Sequence, residues 1–243
     1  MERLTLGKLD TLLEQTHLAR YRFAEQFVKG KRVADIACGT GYGSYALAQA
    51  GAQSVHGMDI SETAVTNCRK SYEAPNLSFS VGNAQNLSSI PDGAFDLLVS
   101  FETIEHLPDV DAYLREIARI LCPGGTFLVS TPDRRISSVL YSFTGRPGNP
   151  FHVREYIEGE FLDLLSARFK IEACYGQAFV EKWLVFWPVQ FAVKAICHLL
   201  RTGRALDFLE SLYLDGGNVE VRLKENAAKV PKYWVISCTR SDS

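Results

Sequence analysis

Two hydrophobic patterns alternate along this chain. One is a short run that is apolar almost throughout; the other is a longer stretch in which apolar residues recur every three or four positions. Leu12, Leu13, Thr16, Ala19, Phe23, Phe27 and Val28 follow the second pattern, which predicts a helix from about Asp10 to Lys29, ended by Gly30. Arg32–Ala37, Ser54–Ile60, Leu77–Val81, Phe95–Phe101 and Thr126–Ser130 follow the first and read as strands. Between them, helices are expected at Tyr45–Ala50, Ser61–Tyr72 and Asp109–Leu121. Pro123-Gly124-Gly125 stops the last of these. A helix at Glu158–Ala167 and strands at Phe169–Cys174 and Lys232–Thr239 complete the pattern. Continuous apolar strands need cover on both faces, and strand alternating with helix implies a parallel sheet wrapped by helices.

Two stretches fit no part of that alternation. Residues 133–150 hold Arg134, Arg135 and Arg146 among Gly, Pro and Ser. Their place over the end of the sheet makes them a candidate grip for a phosphate or carboxylate. Residues 176–231 read as a helical insert before the last strand, within a single domain spanning 1–243. Inside the insert, 183–200 is long and apolar, but Pro188, Gln190, Lys194 and His198 interrupt it, the last three as a polar stripe. It is expected to be a lid helix or a homodimer face, or else a helix lying in a membrane interface beside Lys182, Arg201 and Arg204.

Composition narrows the function classes. Of 243 residues, 47% are hydrophobic and 22% charged, which suits one α/β domain of the larger kind. The formal net charge of −2 gives no electrostatic case for nucleic acid as a partner. Six scattered cysteines without a C-x-x-C pair read as reduced thiols, and Met1–Thr5 lacks the order of a signal peptide. A cytoplasmic protein is expected, with membrane association where 183–200 serves as an interfacial helix.

The chemistry starts at Asp35-Ile36-Ala37-Cys38-Gly39-Thr40-Gly41-Tyr42-Gly43-Ser44, a glycine turn between a strand and a helix. Glycine permits positive φ and close approach to a ligand, and a helix N-terminus offers unpaired N–H groups. Ser44 occupies the position where a dinucleotide fingerprint needs its third glycine, which disfavours a nicotinamide cofactor. Asp59 ends the second strand twenty residues beyond Gly39, where an acid accepts hydrogen bonds from ribose hydroxyls. Its structural alternative is to cap the next helix, a task Ser61 can take. Asn83 follows the third strand and is either a turn residue or an acceptor for an exocyclic amine.

The D-x-x-x-G-x-G-x-G spacing resembles motif I of the class I S-adenosylmethionine (SAM) methyltransferases. Asp59, Gly82-Asn83-Ala84, Phe95-Asp96 and Leu121-Cys122-Pro123-Gly124-Gly125 follow in that family's order, so the resemblance covers most of residues 15–175 and the final strand. It implies a Rossmann-like α/β fold with seven strands in the order 3-2-1-4-5-7-6, the last antiparallel. It also implies that SAM is held by Tyr21, Asp35, Ala37, Gly39, Gly41, Asp59, Ile60, Asn83, Ala84 and Phe101. Asp35 would lie near the sulfonium or α-ammonium, Ile60 against adenine, and His17, Arg20 and Tyr21 over the amino-acid end.

Beyond the fourth strand, Glu102, Glu105 and His106 stand at i, i+3 and i+4, and His152 can return to the same place from a later loop. Such a set either holds a hard divalent cation or provides a general base. The E-x-x-E-H pattern with a distant His resembles ubiquinone-biosynthesis O-methyltransferases and small-RNA 2′-O-methyltransferases. That resemblance makes Glu102, Glu105, His106 and His152 ligands for a cation such as Mg²⁺. Without a metal, His106, His152 and Glu105 are the catalytic candidates, and Glu105 has the structural alternative of pairing with Arg115 or Arg119. Ser-Phe-Glu-Thr-Ile-Glu-His and Asn-Pro-Phe-His-Val-Arg-Glu most resemble bacterial methyltransferases of glycan and O-antigen assembly. The expected reaction is methyl transfer from SAM to a hydroxyl of a sugar, glycan or other small molecule. Aminosugar N-methylation, RNA ribose 2′-O-methylation and a non-catalytic SAM-binding module are the alternatives.

Overall fold

A computed structural model describes residues 11–138, 144–181, 185–186, 188, 220–224 and 229–241. Its strands are β1 (Arg32–Ile36), β2 (Ser54–Asp59), β3 (Leu77–Val81), β4 (Phe95–Phe101), β5 (Leu121–Pro132), β6 (Phe169–Glu181), β7 (Arg222–Leu223) and β8 (Lys229–Arg240). The helices are α1 (Thr11–Glu25), α2 (Tyr42–Gln49), α3 (Glu62–Ser71), α4 (Val110–Ile120), α5 (Arg134–Ser137) and α6 (Glu158–Ser166), with a 3-10 turn at Ile104–His106.

The strands form one sheet in the order β3-β2-β1-β4-β5-β8-β6-β7. β1 to β5 run parallel, and β8 lies antiparallel between β5 and β6. The expected seven-strand order is thus corrected by one strand. Arg222–Leu223 pairs with Tyr175 and Gly176 at the outer edge. Two exposed residues carry no alternation to read, so this strand left no signal in the sequence.

Both faces of the sheet are covered, and side chains divide between them with period two. Ala34, Ile36, Leu98, Phe127 and Val129 point into a core shared with α4 and α6, where Tyr113, Ile117, Phe161 and Leu165 are fully buried. Val33, Leu97, Val99 and Leu128 point the other way, against Ala24 and Val28 near α1 and Leu47 of α2. This is why the strands read as continuous apolar runs. β5 begins earlier than its sequence suggests. Leu121 already pairs with Phe95, and Gly124 at φ 69 carries the chain through an irregularity into the Thr126 register.

β6 runs on to Glu181 and β8 starts at Lys229, so the sheet takes both ends of the 176–231 stretch. The apolar run 183–200 lies almost wholly outside the described residues; Val185 packs beside Ile136, Val180 and Val230. Among the described residues no helix is long and apolar enough to cross a membrane.

Candidate active site

A cavity of about 370 Å³ opens at the carboxyl ends of the parallel strands, a size that suits a ligand of drug-like dimensions. Its wall takes Ala37, Cys38, Gly39 and Thr40 after β1, Asp59 and Ile60 from β2, Asn83 and Ala84 after β3, and Phe101 and Glu102 from β4. Tyr21 of α1 and Lys232 and Tyr233 of β8 close it. Two non-glycine residues hold left-handed backbone here, Ala37 (φ 61) and Glu102 (φ 51), each just past a parallel strand. Such strain persists where the surrounding structure enforces it, as binding sites do.

Asp59 ties the glycine loop to the end of β2. Its Oδ2 accepts the Gly39 N–H at 3.0 Å and its Oδ1 the Ser61 N–H at 2.9 Å, while Ser61 caps α3 through Ala64. Beside it Ile60 is 53% exposed, an apolar surface open to a ligand. Asn83 lines the cavity, and its Oδ1 accepts the Gln85 N–H at 3.0 Å, the role of a turn residue.

Asp35 departs from expectation. It lies beneath the cavity rather than in its wall, 1% exposed, and its carboxylate accepts hydrogen bonds from Ser44 Oγ (2.7 Å) and Tyr21 OH (3.2 Å). Gly41 and Gly43 are likewise packing positions. A Cβ on Gly41 would meet Cys68 Sγ at 2.7 Å, and one on Gly43 would lie 2.1 Å from the Tyr21 ring. Gly39 alone of the three glycines lines the cavity.

Burial pushes the Asp35 carboxyl up to about 6, against the hydrogen bonds from Ser44 and Tyr21 that favour its charged form. The folded protein therefore holds this proton more tightly than the unfolded chain does. The contribution to stability is complete below about pH 4 and is lost as pH rises through about 6. Asp35→Asn keeps an acceptor and removes the charge. Between pH 4 and pH 8 it is expected to gain up to about 3 kcal/mol relative to the unsubstituted protein in urea unfolding. Parallel stability profiles would contradict this.

On the other side of the cavity, Glu105, His106 and His152 each bring one donor atom within 4.8 Å of the others. The 3-10 turn aims Glu105 inward, and its backbone carbonyl takes the Val153 and Arg154 N–H groups, which draws the later loop across. His106 Nδ1 donates to the Phe151 carbonyl at 2.9 Å, since a carbonyl only accepts. His152 Nδ1 donates to Glu155 Oε1 at 2.6 Å, and its Nε2 accepts from Asn149 Nδ2 at 3.1 Å. The Nε2 lone pair thus belongs to the neutral form of each ring. The two rings meet edge to face with centroids 4.8 Å apart. Glu105 is fully buried, and burial and then the nearby Glu102 charge raise its carboxyl well above the usual range. Its oxygen accepts from Thr131 Oγ1 at 3.2 Å. Arg115 and Arg119 pair instead with Asp111, Glu116 and Asp92, so the structural alternative for Glu105 is ruled out.

Glu102 stands outside the converging trio and accepts from Ser130 Oγ at 2.6 Å. Its positive φ takes it out of the helical register that would have set it facing Glu105 and His106. Arg134 and Arg135, the expected anion grip, are engaged by Glu160 and Asp133. Glu155 and Asn149 escaped the sequence reading, although Glu155 stands three residues after His152. Lys232 and Tyr233 were also missed, because a strand residue at a cavity mouth looks like any other strand residue.

Residues 34–129, from β1 through most of β5, match a family described as a methyltransferase domain. Over those residues the chain is similar to methyltransferase domains. The chain is 40% identical over 150 residues to a Mycolicibacterium smegmatis protein described as a probable S-adenosylmethionine-dependent methyltransferase, covering 60% of this chain and 55% of that one. It is 33% identical over 130 residues to a ubiquinone biosynthesis O-methyltransferase of Coxiella burnetii, covering 52% and 55%. The chain therefore spans about half the length of these curated relatives. Among solved structures it resembles a chain from the complex of the Haloferax volcanii Trm112 methyltransferase activator with a methyltransferase. The TM-score is 0.66 at 20% identity, over 95% of this chain and 92% of that one, a likeness of fold.

Proposed function

We propose that this methyltransferase domain binds SAM in the cavity and transfers its methyl group to a hydroxyl of a sugar, glycan or other small molecule. The observation that carries this reading is that one cavity joins a glycine loop and strand-end acid to a cluster of buried Glu105 with the half-buried His106 and His152. The O-methyltransferase name of the Coxiella burnetii relative supports an oxygen acceptor. The wording around Asn149–Glu155 supports a glycan-type acceptor through its resemblance to methyltransferases of glycan assembly.

SAM, when bound, supplies a methyl group already activated by its sulfonium. What remains for the chain is to orient the acceptor oxygen and receive its proton. Orientation contributes on the order of 7–11 kcal/mol in favourable cases, and a placed base about 10²–10⁴-fold in rate. His152 is the better base, because Glu155 fixes its tautomer and its orientation.

The donor set also fits a divalent cation. Glu105, His106 and His152 would hold it, Glu155 would orient His152 from behind, and the charge would relieve the crowding of Glu105 by Glu102. Such an ion would lower the pKa of the acceptor hydroxyl. Labelled methyl transfer to sugar nucleotides, free sugars, phenols and RNA, with EDTA or with added Mg²⁺, tests acceptor and metal together. Transfer to a sugar hydroxyl is expected; loss with EDTA and recovery with Mg²⁺ would assign the cluster to a cation, and a rate indifferent to EDTA would leave His152 as the base. Transfer to an amine or to RNA alone would overturn the acceptor class.

Asp59→Ala is expected to weaken binding of S-adenosylhomocysteine by ~1.5–3 kcal/mol, the value of a charged hydrogen bond. Unchanged affinity by calorimetry would mean that the ribose contact lies elsewhere.

A further inference from the structure

Among the described residues four acids line the cavity: Asp59, Glu102, Glu105 and Glu155. Asp59 uses both carboxylate oxygens on the N–H groups of Gly39 and Ser61. Glu105 is fully buried, and burial holds its carboxyl well above the usual range. Glu155 is fully buried behind His152, whose Nδ1 proton it takes. Glu102 differs from all three. It is only partly buried, its Oε1 accepts from Ser130 Oγ at 2.6 Å, and no cation pairs with it among the described residues. Its Oε2 has no donor there and is not closed off from solvent. Arg20, expected over the amino-acid end of SAM, donates instead to Gln177 Oε1 of β6 at 2.6 Å and does not line the cavity.

The place of this carboxylate is fixed from both flanks. The Glu102 N–H donates to the Ser130 carbonyl at 3.3 Å and to Ser130 Oγ at 3.1 Å, and the same hydroxyl donates to Oε1. Ser130 is fully buried in β5, so it pins backbone and side chain together in the left-handed conformation at φ 51. A glutamate stays in such a conformation only where its surroundings enforce it. On the other flank β4 pairs with β1. Val99 lies opposite Asp35, and Ser100 Oγ donates to the Ile36 carbonyl at 3.2 Å. The chain therefore leaves β4 at Glu102 level with the Ala37–Gly39 turn that leaves β1. Towards β5 lies the cluster, with Glu105 bonded to Thr131, the residue after Ser130. Glu102 is thus the acid at the passage from the glycine loop to Glu105, His106 and His152.

We propose that Glu102 is the counter-charge to the SAM sulfonium, and that it sets the preference of the site for SAM over the demethylated product. This rests on the methyltransferase reading and assigns a residue within it. Transfer breaks the S–CH₃ bond and leaves its electron pair on sulfur, while the acceptor oxygen gains the methyl group and gives up its proton. The sulfonium becomes a neutral thioether, and its attraction to Glu102 ends. In a cavity partly shielded from water that attraction is stronger than at an open surface. The product is then held only by the contacts it shares with SAM, which favours its exchange for a new cofactor.

The test is calorimetry on the full chain with SAM and, separately, with S-adenosylhomocysteine, both in EDTA so that no cation at the cluster contributes. Glu102→Gln keeps an acceptor for Ser130 and removes the charge. It is expected to weaken SAM about tenfold while S-adenosylhomocysteine stays within about twofold, the loss of one partly screened charge pair. Glu102→Gly also removes the charge, and glycine takes the φ of 51 without strain, so it serves should Glu102→Gln not fold. It is expected to shift the ratio of the two affinities in the same direction. A ratio that stays within about twofold of the original in the folded variant would overturn the proposal. That includes an equal loss for both ligands, because S-adenosylhomocysteine keeps the α-ammonium and carboxylate and lacks only the sulfonium charge and its methyl group. Failure of the unsubstituted chain to bind either ligand is a distinct result, and would instead overturn the methyltransferase reading.

Discussion

His152→Ala is expected to lower kcat by about 10²–10⁴-fold while S-adenosylhomocysteine affinity stays within about twofold. The size follows from what the ring does in either version of the chemistry. Without a metal, the imidazole receives the acceptor proton; with one, it is a ligand, and its loss unmakes the site. Glu155 leaves little freedom for a substitute, since its buried carboxylate takes the Nδ1 proton at 2.6 Å and holds the ring edge-on to His106. The sparing of cofactor affinity follows from placement. His152 enters from the loop before α6, whereas the glycine loop, Asp59 and Ile60 lie after β1 and β2. Single-turnover rates of labelled methyl transfer provide the check. A variant within threefold of the original rate would remove His152 from the chemistry.

Gly43→Ala is expected to destabilise the fold by about 2–6 kcal/mol. The added methyl would lie 2.1–2.4 Å from three carbons of the Tyr21 ring. That ring has nowhere to go. It is held edge-on between Tyr42 and Phe101, with centroids 5.4 and 5.3 Å away, and its hydroxyl is bonded to Asp35. Overpacking of this kind costs about 1–3 kcal/mol, and a buried carboxylate losing a donor costs about 1–3 more. Because Tyr21 also lines the cavity, cofactor affinity should fall together with stability. Urea unfolding gives the first number and calorimetry the second. A variant as stable as the parent would show that α1 slides on α2 at no cost.

Most of the fold was legible because a sheet covered on both faces leaves a strong trace. The apolar runs at Val33–Ile36, Leu97–Val99 and Phe127–Val129 could hardly be anything but buried parallel strands, and glycine and proline marked their ends. β7 was invisible because its two residues are exposed and pair only at an edge. In the site, residue types and order were readable, but directions were not. Asp35 and Arg20 both belong to recognisable patterns, yet one lies beneath the cavity and the other turns to Gln177 of β6. Those directions depend on a tyrosine packed on Gly43 and on the β6–β8 pairing some 150 residues later. Glu102 left its helical register through a positive φ that a glutamate does not announce.

The central claim is that this cavity takes SAM rather than a dinucleotide or no ligand at all. Isothermal titration of the purified chain with S-adenosylhomocysteine and, separately, with NAD tests it most directly. One S-adenosylhomocysteine per chain, weakened by Asp59→Ala, together with no heat from NAD, is the expected result. Binding of NAD without S-adenosylhomocysteine would contradict it.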